Sequence, residues 1–227
     1  MRTFLKVAAV ALATVTAVPA SFEHAHGQGA SPFEGSRITH VGVIVRDPSS
    51  VGKLYGEVFG VTVAEPVDFK GKIDFPKEFR GDRDSYPRYT RAMLSDLAIE
   101  IMAPVGGASP WREYLDKYGE GLHHICFGVR DLNQAIAHLQ ALGGVLEFGG
   151  SRGVGYAYVN FREQLGFTIE LSQMPPTPEG TAAPAPPAQA PTALLVDRIG
   201  HIGIFTPDVE KTAKVLDRKS TRLNSSH

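Results

Sequence analysis

The stretch Thr39-His40-Val41-Gly42-Val43-Ile44-Val45-Arg46-Asp47 returns as His123-His124-Ile125-Cys126-Phe127-Gly128-Val129-Arg130-Asp131. It returns again as Gly200-His201-Ile202-Gly203-Ile204-Phe205-Thr206-Pro207-Asp208, and in each copy an aspartate follows the histidine by seven residues. A recurring unit fixes architecture before any single motif does. The histidine opens a run with β-branched residues at alternate positions, which predicts a strand. The aspartate stands where a helix N-cap belongs: Asp47 before Pro48-Ser49-Ser50, Asp131 before Leu132-Asn133-Gln134. Leu54, Val58 and Phe59 supply an apolar helix face in the first copy; Ile136, Leu139 and Leu142 supply one in the second. Gly60 and Gly143-Gly144 end those helices.

Three further strands follow each helix, at 62–68, 89–95 and 97–103 in the first copy and at 145–148, 156–161 and 167–172 in the second. Each copy therefore reads β-α-β-β-β, an α+β module, over about 36–105 and 121–174. Ser109-Pro110-Trp111 starts a short helix between them, with proline in its first turn. The insert 70–87 is long, charged and aromatic (Phe75, Phe79, Tyr86). It reads equally as a substrate-contacting lid and as a solvated excursion.

Outside 36–174 the chain changes character. A basic start, an apolar run from Val7 to Val18 and then Pro19-Ala20 predict a signal peptide over 1–20, followed by a flexible leader over 21–35 carrying His24 and His26. The expected location is periplasmic or extracellular, with no membrane contact after cleavage. Residues 175–194 are mostly Pro and Ala, a linker without core-forming content. The third copy begins at 195–216 and has no later strands, so it reads as a truncated second domain that is marginally ordered or docked on the first. Residues 217–227 match the translation of a short-read sequencing adapter residue for residue, which makes them an expected artefact. The net charge of -1 gives no footprint for nucleic acid, and a single cysteine excludes an intramolecular disulfide.

The run Ile99-Glu100-Ile101-Met102-Ala103-Pro104, then Gly119-Glu120-Gly121-Leu122-His123-His124-Ile125-Cys126-Phe127 and the closing Phe167-Thr168-Ile169-Glu170-Leu171, resembles the vicinal oxygen chelate superfamily. That superfamily includes glyoxalase I, methylmalonyl-CoA epimerase, extradiol dioxygenases and antibiotic-resistance binding proteins. The resemblance implies two βαβββ modules forming a cupped mixed sheet around one divalent metal. It implies a ligand from the first and last strand of each module: His40, Glu100, His124 and Glu170. The repeat selects His124 over His123, because His124 stands where His40 stands. Alternation agrees, with His40 and Gly42 on one face and Thr168, Glu170 and Ser172 on another. His123 is expected to be structural or to support a ligand, Cys126 to pack beside His124, and His138 to face solvent.

Two imidazoles and two carboxylates suit zinc, nickel, cobalt, manganese or iron. The implied chemistry is that of a lyase or isomerase of the glyoxalase or epimerase type, acting through an enolate on a small oxygenated substrate. Glu100 and Glu170 are the candidate catalytic acids and bases. The epimerase branch also uses an acid before the strand leading to Met93, where only Asp84 is at hand. An iron(II) extradiol dioxygenase needs His40, His124 and Glu170 alone, and a binding protein needs no metal; both readings stay open. The expected partners are a small-molecule substrate and either a second copy of the chain, as a homodimer, or the missing second domain.

Overall fold

The computed structural model describes residues 32–33, 36–175, 201–204 and 209–216. The elements are β1 (Arg37–Ile44), α1 (Pro48–Phe59), β2 (Val67–Asp68), β3 (Lys72–Asp74), β4 (Tyr86–Leu94), β5 (Leu97–Val105) and α2 (Pro110–Tyr118). They continue with β6 (Gly121–Val129), α3 (Leu132–Ala141), β7 (Val145–Arg152), β8 (Val154–Asn160), α4 (Arg162–Leu165), β9 (Thr168–Gln173) and α5 (Val209–Leu216). The signal-peptide, leader, linker and adapter readings lie outside the described residues, apart from positions at their margins. Among the described residues no helix is long and apolar enough to cross a membrane.

All nine strands form one mixed sheet in the order β2-β4-β5-β1-β6-β9-β8-β7-β3. The order reads the same outward from its centre. β1 runs parallel to β5, β6 runs parallel to β9, and β1 and β6 meet antiparallel. The sheet is strongly curled. Its edge strands, β2 and β3, are separated in the chain only by residues 69–71. That tether holds the two edges within roughly 14 Å of each other. The result is the cupped mixed sheet that the resemblance implied.

Alternation then divides the side chains between two faces. On the outer face α1 covers Val45, Ala92 and Ile101, and α3 covers Ile125, Val129, Val159, Ile169 and Leu171. The inner face carries Tyr89, Met102, Phe148 and Tyr158, packed with Trp111, Tyr114 and Leu115 of α2. Asp47 caps α1 by accepting from the Ser49 and Ser50 amides, and Asp131 caps α3 by accepting from the Gln134 amide, as the repeat predicts.

Four details depart from the sequence reading. In α1 the residues that face the sheet are Val51, Gly52 and Tyr55, while Leu54 and Val58 are 56% and 52% exposed. Gly52 marks the closest approach, since a Cβ there would lie 3.1 Å from Val63 and 3.2 Å from Thr90. A pattern that counts only large apolar side chains passes over that position. Only Val67–Asp68 of the expected 62–68 strand pairs, because Thr90 Oγ1 donates to the Ala64 carbonyl (2.6 Å) and Pro66 has no N–H to give. The insert is packed rather than solvated. Its β3 pairs with β7, and Phe75 stacks on Phe79 at 4.2 Å and also meets Trp111 and Phe148. In the third copy residues 201–204 form no strand. Ile202 and Ile204 pack against the α3 core, and Thr212 Oγ1 donates to the Gln164 carbonyl (2.6 Å).

α2 closes the floor of the cup, and its buried N-cap, Ser109, accepts from the Arg112 amide at 3.3 Å. Replacing Ser109 with alanine is expected to lower the unfolding free energy by about 1 kcal/mol, read from a urea titration.

Candidate metal centre

The four central strands β5, β1, β6 and β9 each contribute one of four clustered acidic or imidazole side chains. These are Glu100, His40, His124 and Glu170, exposed by only 6%, 7%, 0% and 7%. One ligand atom from each lies within 4.8 Å of all the others. Glu170 Oε2 stands 2.8 Å from His40 Nε2 and 3.0 Å from His124 Nε2. Glu100 Oε2 stands 3.6 and 3.7 Å from the same two nitrogens. The structure thus brings together all four residues that the resemblance named.

Each donor is oriented by a neighbour. Thr39 Oγ1 lies 3.2 Å from His40 Nδ1 and donates onward to the Cys126 carbonyl. His123 Nδ1 lies 3.0 Å from His124 Nδ1. With Nδ1 engaged, each ring turns Nε2 toward the shared point, the arrangement in which an imidazole binds a metal. Arg91 Nε and Nη2 both donate to Glu100 Oε1, at 3.0 and 2.7 Å, leaving Oε2 for the centre. Buried Tyr158 lies opposite Glu170 in register. Burial, with the Glu170 and Glu100 carboxylates nearby, pushes its phenol well above the ordinary range, so it keeps its proton.

The sequence reading passes over Thr39 and expects His123 to be structural or to support a ligand; strand register explains both positions. The β1–β6 register skips between Ile38 and His40, and again between Gly42 and Val43 opposite His124 and Leu122. Thr39 and His123 are the extra residues of two β-bulges, which re-aim side chains that strict alternation would send outward. Asp84 is not brought to the centre: its amide donates to Asp82 Oδ1 and it does not line the cavity. Cys126 packs fully buried beneath His40, and His138 is half-buried with Phe33 against its edge.

The donor set fits a divalent ion. The His124 Nε2 atom is fully buried with only Glu170 Oε2 at 3.0 Å to meet it, and two carboxylates share an apolar cup, an arrangement that is costly without a cation between them. Burial by itself would raise the Glu170 carboxyl, but His40 and His124 outweigh it and hold the group below the ordinary carboxylate range. The cavity above the donors has a volume of about 370 Å³, walled by Phe69, Tyr89, Trp111, Phe148 and Tyr156.

The family model of the Glyoxalase/Bleomycin resistance protein/Dioxygenase superfamily matches residues 39–161, and the chain belongs to that superfamily. An ethylmalonyl-CoA/methylmalonyl-CoA epimerase of Cereibacter sphaeroides is 27% identical over 144 residues, 61% of this chain and 98% of that protein. A mitochondrial methylmalonyl-CoA epimerase of Dictyostelium discoideum is 30% identical over 106 residues, 46% of this chain and 56% of that protein. Among solved structures, methylmalonyl-CoA epimerase from Mycobacterium tuberculosis aligns with a TM-score of 0.46 and 22% identity, over 61% of this chain and 88% of that one.

Two outcomes test the geometry. A Cβ on Gly42 would lie 1.9 Å from His124 Cε1, so the His124 ring occupies the space that only glycine leaves. Gly42→Ala is expected to keep the far-ultraviolet circular dichroism spectrum and to weaken metal affinity at least about tenfold. For the metal-free protein, burial lowers the His40 pKa, but the Glu170 and then Glu100 carboxylates more than reverse this, leaving it raised. A raised group stabilises fully below its unfolded pKa, and that contribution is lost as pH rises through the folded value. The melting temperature of the metal-free chain should therefore fall as pH climbs above about 6.5, and metal loading should remove that fall.

Proposed function

We propose that this chain is a metal-dependent isomerase or lyase of the glyoxalase or epimerase type, moving a proton beside a carbonyl of a small oxygenated substrate. The observation that carries this reading is the buried set of His40, Glu100, His124 and Glu170, with one ligand atom of each within 4.8 Å of the rest. Its two imidazoles and two carboxylates match the preferences of zinc, nickel, cobalt, manganese or iron. When bound, such an ion supplies the Lewis acidity that stabilises negative charge developing on a substrate oxygen.

The chain's own residues supply the rest. His40 and His124 act as neutral donors, held by Thr39 and His123. The aromatic walls exclude water from the reacting carbon. Glu100 on β5 and Glu170 on β9 flank the histidine pair from opposite sides. A carboxylate that takes a proton from one side of a carbon, with another that returns one from the other side, inverts its configuration. A dioxygenase needs one carboxylate in its triad, and Arg91 presents a second, which favours the proton-transfer reading.

The basic and apolar N-terminus supports export to the periplasm or beyond. The relatives' names specify CoA thioesters, and CoA is an intracellular carrier. An exported chain is therefore proposed to act on a smaller acid or carbonyl compound that fits the 370 Å³ cavity.

Elemental analysis of the purified chain should find one divalent ion, and Glu170→Ala should lose it; unchanged metal content would refute the ligand assignment. Glu100→Gln keeps an oxygen donor but no base. It should retain the ion and slow α-proton exchange into D₂O, with a methylmalonyl thioester as probe, by about a hundredfold or more.

A further inference from the structure

We infer that Arg152 is an anion anchor at the mouth of the metal cavity, and that the substrate carries a carboxylate there in addition to the oxygens it presents to the ion. The inference deepens the proposed proton-transfer function and rests on it for the position of the reacting end.

Arg152 ends β7, just before the β7–β8 turn at Gly153. Its guanidinium lies over two ring faces contributed by the other half of the sheet, 5.2 Å from the Tyr89 centroid and 5.9 Å from that of Phe69. Both rings and Arg152 line the same cavity as His40, Glu100 and Glu170. Contacts with aromatic faces hold a guanidinium in place without using its N–H edges. Among the described residues Arg152 forms neither an ion pair nor a side-chain hydrogen bond. Arg91, the other arginine of this cavity, is committed to Glu100 through two hydrogen bonds.

Charge points the same way. A divalent ion offsets Glu100 and Glu170. With Arg91 paired to Glu100, the lining then carries net positive charge, and Arg152 is the cation that has no carboxylate against it among the described residues. Outside the mouth Arg152 also borders a shallow groove with Lys70 and Arg88, where Asp68 is the one acid. Much of the remaining wall is apolar and aromatic, with Ile73, Met102 and Tyr156 among its residues. Such a cavity selects a short molecule with a chelating carbonyl end, an apolar middle and a distal carboxylate, which a planar guanidinium fork grips in two places.

The test uses a matched pair of probes, 2-oxoglutarate and 2-oxopentanoate, which share the chelating end and differ in the distal carboxylate. Binding to the metal-loaded full chain is read from the fluorescence of Trp111, its single tryptophan, which lines the cavity. Wild type is expected to prefer 2-oxoglutarate by about tenfold or more, the range of a charge-assisted hydrogen bond. Arg152→Met should bring the ratio to about one, leaving 2-oxopentanoate affinity and metal content unchanged. Arg152→Lys keeps the cation on the rings and loses the fork, so it should give an intermediate ratio, which also answers the question if the methionine variant fails to fold. The anchor is refuted if wild type shows no preference, if neither acid binds, or if the preference survives in either variant at full size. Metal content separates the two claims. A wild-type chain that takes up no metal yet prefers the diacid through Arg152 refutes the metal-dependent reading and keeps the anchor.

Discussion

Two carboxylates and two imidazoles converge on one buried point, and the surrounding structure is arranged to make that tolerable. Glu100 and Glu170 are almost out of reach of solvent, and their oxygens sit among aromatic and aliphatic side chains. Left alone, each would bind a proton or draw in water. The sheet prevents the first by setting His40 and His124 between them on the two central strands. α1 and α3 seal the outer face, and α2 with the packed insert seals the floor. A cation at the point of convergence would satisfy all four groups together.

How the chain reaches that convergence is a matter of strand register. A regular ladder sends neighbouring residues to opposite faces, so one strand would offer either a ligand or its supporting residue, never both. The bulges at Thr39 and His123 relax this rule once in each half of the sheet. The residue before each ligating histidine then turns to the same side and occupies Nδ1. Gly42 completes the arrangement by leaving empty the volume that the His124 ring fills. The centre is therefore specified by backbone irregularities as much as by its four ligands.

These irregularities mark the boundary of what the sequence reveals. The repeat exposes the sheet, its helices and their caps, because period and capping are local properties. The four ligands follow from resemblance together with the repeat, which distinguishes His124 from His123. Arg91, Tyr158, Thr39 and Arg152 are not legible in this way. Arg91 and Tyr158 matter through cross-strand register with Glu100 and Glu170, which the pairing of neighbouring strands sets and local periodicity does not show. Arg152 matters only because the sheet curls until β7 faces Tyr89 and Phe69. The exposed Leu54 and Val58 show the converse error, a helical stripe read as core where small Gly52 takes the contact.

The near-symmetry of the sheet makes its departures informative. Glu100 and Glu170 occupy matching places on β5 and β9, and Arg91 and Tyr158 occupy matching places on β4 and β8 beside them. One acid is thus held by a cation whose side chain is 44% exposed, the other by a phenol that is buried and stays protonated. Arg91 sets a permanent positive charge against Glu100. A phenol, by contrast, donates a hydrogen bond without adding charge. Glu100 and Glu170 themselves are equally buried, at 6% and 7%, and both line the cavity. A cation on one side and a phenol on the other give two otherwise equal acids different electrostatic surroundings.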